Sequence, residues 1–495
     1  MKKALRLLQP YLIAVAPLVA LFRNNPGEVF LFDFLLVLAL LATVILALSY
    51  VISRWTKDEE QVSLSLSVLC LPLILSAELS FLSKPLIWSL CALSALALLR
   101  DCLWIPPKLK STLSYGASIP LLAVISYSLF EIGYIKKTIQ TEIAQQKETP
   151  LPHKRYSIGC SKDIYIIILD EFISEHAFKD YYRVDNHHFF DSLREKKFHV
   201  ISSSTSNYPW TITSIASILN FDYHNTRLSK NAFTGVAQSL INQNKLFRAL
   251  KAEGYSIHHI PSIYWMGNPP QNPFSDFLFR TKSYGWIQAI SQITPWKNAY
   301  RTYQRNSHRH HVLNQLEQLK LASERPEKKL AFAHIMCPHR PIAFNEDGSE
   351  LSEQDVALAE KDPQHRFYLG QAKFISKEVI KTIAHILEHS SEAPIILLLS
   401  DHGKFPIGCS PKGKLTLPLQ EIAWRFSNLQ ALHLPDFDSP FPSAITPLNT
   451  VRTRLNHYFG YELPILENAC CPHFYDLNQS VPSQLVLDHL FPSPS

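Results

Sequence analysis

The chain has 495 residues, more than a single typical domain needs. Charged residues make up 18% of it, against about 25% in an average soluble domain, and the deficit sits in the first third. The net charge of +6, from 48 basic and 42 acidic residues, forms no basic stripe of the kind that binds nucleic acid.

Residues 1–135 hold five apolar stretches, at roughly 8–22, 30–52, 62–82, 85–104 and 113–134. A spanning helix needs about 20 apolar residues. The second and third stretches meet that length well; the first is short, and Arg100 and Asp101 trim the fourth. Lys2, Lys3 and Arg6 before an apolar run resemble a signal peptide, but four more apolar segments follow, so the first stretch reads as a retained anchor. With the N-terminus inside, the inner segments carry Lys2, Lys3, Arg6, Arg54, Lys57, Arg100, Lys108 and Lys110, and the outer loops carry Arg23 and Lys84. Lys136 and Lys137 run against this count. Five crossings place the rest of the chain outside. Glu78 and Glu131 read as interfacial carboxylates.

Residues 136–160 are polar and read as a linker; residues 161–495 form the second domain. There the pattern alternates between strand and helix. IYIIIL is a strand, HHFFDSLREKKFHV a helix and then a strand, and KLFRALKAEGYSIHHI repeats that order with Gly254 at the helix stop. KLAFAHIM is a strand ending near His334 and His339. A long amphipathic helix, a loop and the strand PIILLLS follow. The alternation predicts an α/β sheet covered by helices. HRHH at His308–His311 reads as a solvated loop, because it lacks neighbouring carboxylates.

The two most regular strands end in chemistry. Asp170 and Glu171 follow the first, and Asp401 and His402 follow PIILLLS. Strand tips are a usual place for a site in an α/β fold. Carboxylates, an imidazole and the hydroxyl of Thr211 suit a hard or borderline dication such as zinc or manganese. The eight cysteines show no CxxC spacing, which disfavours a thiolate site. Five of them, Cys160, Cys337, Cys409, Cys470 and Cys471, lie in the second domain, where an oxidising compartment would allow disulfides of unassigned pairing.

The ordered set of DE after a strand, TITSIASIL, HIMCPH and SDHG resembles the sulfatase-like branch of the alkaline phosphatase superfamily. With a five-helix anchor ahead of it, the chain looks most like the phosphoethanolamine transferases and lipoteichoic acid synthases of that branch. The resemblance covers most of residues 161–480. It implies an alkaline-phosphatase-like α/β domain behind a transmembrane bundle, set in the inner (cell) membrane as a multi-pass protein with its catalytic domain extracytoplasmic. It implies a divalent metal, zinc or manganese, on Asp170, Glu171, Thr211, Asp401 and His402. Thr211 would be the nucleophile, with Thr213 the runner-up, and His339 would contact substrate. Thr211 stands where sulfatases carry the residue that becomes formylglycine, and Ile215 replaces an arginine usual after Ser214. Both departures favour phosphoryl over sulfate chemistry. The implied reaction moves a phospho-alcohol headgroup from a membrane lipid donor to an envelope lipid or glycan through a phospho-threonine. The alternatives are ester hydrolysis, with water as acceptor, and a catalytically silent membrane scaffold. The scaffold draws on one departure: the next histidine after His402 is the distant His433, where transferases carry one soon after DHG. Nothing in the sequence sets an oligomeric state.

Overall fold

A computed structural model of the chain describes residues 2–24, 31–54, 58–73, 84–99, 118–148, 159–224, 230–262, 273–279, 297–359, 365–404, 419–437, 444–471 and 480–490, with isolated positions between them. The chain divides into two compact units, Met1–Thr141 with Tyr284–Gln304, and Glu142–Ser283 with Arg305–Ser495.

The described residues of the first unit include the helices Lys2–Asn24, Leu31–Ser53, Glu59–Cys70, Lys84–Leu99 and Ser118–Glu148. They fall on the five apolar stretches. Asp58 caps the third by accepting from the amides of Glu60 and Gln61. Ile13, Ala14, Ile45, Val62 and Leu66 pack together, as do Val19, Phe22, Phe34 and Ile132. Glu131 pairs with Arg23 at 3.3 Å. Two segments, Phe34–Ser53 and Ser118–Thr141, are long and apolar enough to cross a membrane; the apolar parts Leu8–Ala20 and Leu86–Leu98 are shorter. Five full spans are therefore not reproduced among the described residues. Residues 136–148, expected in a linker, instead continue the helix Ser118–Glu148.

The second unit is built on a seven-stranded mixed sheet. In chain order its strands are β1 (Ile164–Leu169), β2 (His199–Val200), β3 (Ser256–Ile260), β4 (Phe277–Leu278), β5 (Lys329–Ile335), β6 (Ile395–Leu399) and β7 (Gln430–His433). Their order across the sheet is β2-β7-β6-β1-β5-β3-β4. β6, β1, β5, β3 and β4 run parallel, and β7 and β2 add an antiparallel edge. Every residue of β1, β5 and β6 is buried, which is why their sequences are nearly continuous apolar runs. The helices His187–Glu195, Lys245–Ala252 and Arg366–His389 lie where the alternation predicts them. Gly254 follows the second at φ +80°, a conformation open to glycine at little cost.

The central pairing positions the functional side chains. Ile168 of β1 is level with His334 of β5 on one side and with Leu399 of β6 on the other. Two residues further on, Asp170 and Asp401 emerge from the carboxyl ends of adjacent parallel strands.

The HRHH segment departs from its reading as a loop. It lies in the helix Lys297–Ser323, with His308 fully buried and His311 nearly so. The period of that helix turns these two imidazoles inward, where burial pushes them down to about 3 and about 4, so both stay neutral. Among the described cysteines of this unit, Cys160, Cys337, Cys470 and Cys471 are free thiols.

Candidate active site

Asp170 leaves β1 with its amide donating to the Ile335 carbonyl at 2.9 Å. Its side chain is wholly buried. Oδ2 meets Nε2 of His334 at 3.1 Å, and Oδ1 has no hydrogen-bond partner. Burial would raise this carboxyl, but His339, His334 and His402 outweigh it and bring it to about 2.

Asp401 shows the complementary arrangement. Its Oδ1 accepts from the amides of Glu171 and His402, each at 2.9 Å, while Oδ2 has no hydrogen-bond partner. Burial and then the neighbouring Asp170 carboxylate push Asp401 well above the usual range. Two buried acids side by side do not both ionise without a compensating charge.

His402 fixes where that charge is missing. Its Nδ1 faces the Gly403 carbonyl at 3.1 Å, so Nδ1 carries the proton. Its Nε2 receives Nη2 of Arg425 at 3.0 Å, and a guanidinium can only donate. Nε2 is therefore a lone pair, and Asp401 Oδ2 lies 3.0 Å from it. Burial and Arg425 hold His402 well below the ordinary imidazole range. Thr211 Oγ1 completes the group at 3.0 Å from His402 Nε2.

Thr211 is the first residue of the helix Thr211–Asn220, whose N-cap is Trp210 without a side-chain bond. Its hydroxyl thus does not cap the helix. Thr213 is spent locally, donating to the Trp210 carbonyl at 2.9 Å, and Ser214 donates to the Asp401 carbonyl at 2.6 Å. The latter bond ties the helix start to the tip of β6.

Glu171 takes a different place from the one its motif suggests. Both carboxylate oxygens are engaged, one by Lys404 at 2.7 Å and the other by Arg425. Burial would raise it, but these two cations lower it far beyond that. Its backbone is left-handed at φ 65°, a strained conformation for glutamate that costs ~1–3 kcal/mol. The amide bond to Asp401 and the Tyr368 hydroxyl on its carbonyl at 2.6 Å hold it there. Of the expected residues, Asp170, Thr211, Asp401 and His402 converge; Glu171 adjoins them as a counter-ion.

His339 is half-buried and sits between two cis peptides, Cys337–Pro338 and Arg340–Pro341. Its amide donates to the Asp170 carbonyl at 3.2 Å, and its Nδ1 donates to the Arg340 carbonyl at 2.7 Å. It is the more accessible imidazole of the group, since His334 and His402 are buried.

Gly403 is required for close approach. A Cβ there would sit 2.5 Å from the Trp424 carbonyl oxygen and nearer still to that of Ser427. Its φ is not left-handed, so close approach rather than a positive φ is what requires glycine here. Lys404 and Arg425 are contributors that sequence reasoning passed over, and His334 is one it left as a strand-end histidine without a role. Lys404 was visible as the residue after DHG. His334 depends on the β1–β5 register, and Arg425 on the fold-back of Leu419–Phe426.

Orphaned oxygens on Asp170 and Asp401, together with the lone pair on His402, are the donor set a divalent cation satisfies. Asp170, His334 and Asp401 offer atoms within 4.8 Å of one another.

No curated protein matches the sequence. Among solved structures, the C-terminal periplasmic domain of EcEptC from Escherichia coli aligns with a TM-score of 0.46 and 13% identity, covering 68% of this chain and 96% of that one. The phosphonate monoester hydrolase SpPMH from Silicibacter pomeroyi aligns at 0.41 and 15%, covering 61% and 74%. The corresponding domain of the phosphoethanolamine transferase EptC from Campylobacter jejuni aligns at 0.38 and 11%, covering 64% and 94%. These likenesses are remote. Residues 162–420, just over half of the chain and holding every residue of the site but Arg425, match the Sulfatase family model, so the chain belongs to the sulfatase family, in the sulfatase-like branch of the alkaline phosphatase superfamily.

Proposed function

We propose that the protein is a metal-dependent phosphotransferase that moves a phospho-alcohol headgroup from a membrane lipid to an envelope lipid or glycan. The observation that carries this reading is the Thr211 hydroxyl against His402, beside two carboxylate oxygens that lack partners. Asp170, Asp401, His402 and Thr211 would hold the dication, with zinc favoured over manganese by the imidazole. When bound, it supplies Lewis-acid charge that lowers the pKa of a hydroxyl and offsets charge on a phosphoryl group. In this reading Glu171 keeps Lys404 and Arg425 in place, and His334 orients Asp170.

Thr211 stands at a helix N-terminus, whose free amides and dipole suit an anion. Its oxygen forms a bond to phosphorus, and the bond from phosphorus to the lipid alcohol breaks. The proton that Thr211 gives up is balanced by the one the departing alcohol takes, and the headgroup phosphate stays on Thr211. An acceptor hydroxyl then attacks the same phosphorus, losing its proton as the bond to Thr211 breaks. His339, the accessible imidazole, contacts the phosphoryl oxygens. Residues 1–135 anchor the enzyme in the cell membrane as a multi-pass bundle, with residues 136–160 leading to an extracytoplasmic catalytic domain in 161–495. The two long apolar helices and their exposed faces support this: Leu46 is 60% exposed and Phe130 73%. Such an anchor keeps the site beside a lipid donor.

Membership of the sulfatase family favours one second reading, in which water is the acceptor and the enzyme is an ester hydrolase. Mass spectrometry of the full-length protein turning over a phospholipid donor tests the first half of the reaction. A headgroup phosphate on Thr211, absent in Thr211→Ala, is expected. A metal-free wild-type protein without that modification would leave the silent scaffold. Headgroup profiles of envelope lipids and glycans from cells lacking the protein decide the acceptor, because an unchanged profile counts against transfer.

A further inference from the structure

At the other end of the sheet, three potential ligands meet that have no part in the catalytic site. His385 and His389 lie four residues apart on the helix Arg366–His389, which puts both imidazoles on one face. Their rings stack with centroids 3.8 Å apart and planes 15° from parallel. Glu324 lies just past the end of the helix Lys297–Ser323, and its Oε1 is 3.1 Å from His385 Nε2. One ligand atom from each of the three lies within 4.8 Å of the others.

Chain direction separates this cluster from the catalytic one. Glu324 precedes β5 by five residues and His389 precedes β6 by six. Both therefore stand at the amino ends of the two strands that flank β1, whereas Asp170 and Asp401 stand at carboxyl ends.

Two physical features distinguish the cluster from an ordinary solvated helix face. The Nδ1 of His389 donates to the carbonyl of His385 at 2.9 Å, which leaves its Nε2 as the free lone pair. A backbone carbonyl holding the far nitrogen of a ligating histidine is the usual support for such a ligand. Both contributing helices also end here, and helix C-termini carry partial negative charge that favours a cation. Tetrahedral zinc with bonds of about 2.0–2.1 Å needs its nitrogens about 3.3 Å apart with the ion in both ring planes, so the stacked rings turn about their side-chain torsions to converge on it.

We propose that Glu324, His385 and His389 form a second, solvent-accessible cation site that takes a borderline divalent ion, zinc before magnesium or calcium. Two imidazoles and one carboxylate are the donor set for that preference. A cation entering here replaces the hydrogen shared by Glu324 and His385 and ties together the segments that lead into β5 and β6. The site is exposed enough to fill and empty with the surrounding zinc concentration, so it acts as a clamp rather than a catalyst.

The test uses the full-length protein in detergent, stripped of metal and titrated with Zn²⁺ while bound metal is measured. Wild type should bind one equivalent more than the double variant His385→Ala/His389→Ala, and His389→Ala alone should weaken that equivalent at least tenfold. His389→Asp should recover much of the binding, and Glu324→Gln should weaken it less than either histidine change. Metal-free melting temperatures of wild type and variants should agree, which separates lost ligation from lost folding. Substitution with Cu²⁺ should give nitrogen hyperfine structure from two imidazoles that the double variant lacks. Equal zinc stoichiometry in wild type and the double variant, up to tens of micromolar free zinc, would overturn the proposal.

Discussion

Thr211 Oγ1 lies 3.0 Å from His402 Nε2, although 191 residues separate them in the chain. The start of one helix and the tip of one strand thus share a single lone pair, which Arg425 also approaches. Hydroxyl, imidazole and the unpartnered oxygens of Asp170 and Asp401 form one chemical unit.

Thr211→Ala is expected to lower turnover by on the order of 10³ or more, because residues that act as a unit lose most of their effect together. Thr211→Ser should keep part of the activity. Thr213→Val should leave the chemical step nearly intact, since the Thr213 hydroxyl is committed to the Trp210 carbonyl. Turnover of a phosphodiester by the three variants ranks them; a Thr213→Val protein as inactive as Thr211→Ala would reverse the assignment.

Removing the catalytic metal should expose the charge imbalance at Asp170 and Asp401. A cation held at 100 times its dissociation constant contributes about 2.7 kcal/mol to stability. Chelation is therefore expected to lower the melting temperature of wild type and to have little effect on Asp170→Asn/Asp401→Asn. His334→Gln should weaken metal binding by roughly 10–100-fold, as loss of a ligand's orienting partner does. Thermal melting with and without chelator checks the first and competition with a fluorescent zinc chelator the second, both in the His385→Ala/His389→Ala background so that only the catalytic site is titrated.

Gly403→Ala brings a methyl group against the carbonyls of Trp424 and Ser427, and neither backbone can yield alone. The expected cost is about 1–3 kcal/mol, the range for overpacking. Because Gly403 neighbours His402 and its amide bonds to the Arg425 carbonyl at 2.7 Å, metal affinity should fall with stability. Thermal melting with and without zinc separates the two effects.

His259 predicts a response to acid. It is 1% exposed, packs against Phe247 and Phe332, and has no hydrogen bond on either nitrogen. Burial pushes it down to about 3. Between that value and the ordinary 6.5 the unfolded chain binds a proton that the folded chain refuses, so stability is complete above pH 6.5 and falls as pH drops through the window. The slope is about 1.4 kcal/mol per pH unit for one such group. His259→Phe should flatten the melting temperature between pH 6 and pH 4 relative to wild type. An identical pH profile would show that His259 finds a partner in solution.

Much of this was legible in the sequence, for a physical reason. Strands buried on both faces must be continuous apolar runs, so β1 and β6 announced themselves, and Asp170, Asp401 and His402 with them. The legible part ends where the fold selects among equals. Which histidine of HIMCPH meets Asp170 depends on the register of β5 against β1, which places His334 level with Ile168. The partners of Glu171 depend on Arg425, more than 250 residues away, and no local pattern encodes that distance. HRHH reads as a loop because two of its imidazoles, His308 and His311, take inward positions ahead of the apolar Val312, Leu316 and Leu319 on the same helix.

The ion pairs of Glu171 set a charge tally for the whole centre. Asp170, Asp401 and Glu171 bring three negative charges when ionised, and Lys404 and Arg425 return two, with His402 neutral. A divalent cation turns the remainder of one negative charge into one positive charge. An ester with a single negative charge, such as a phosphodiester, then brings the centre to electroneutrality, whereas a doubly charged phosphomonoester overshoots it. In the proposed reaction, the two side-chain cations around Glu171 would thereby favour a monoanionic ester before any contact with the alcohol on either side of the phosphorus.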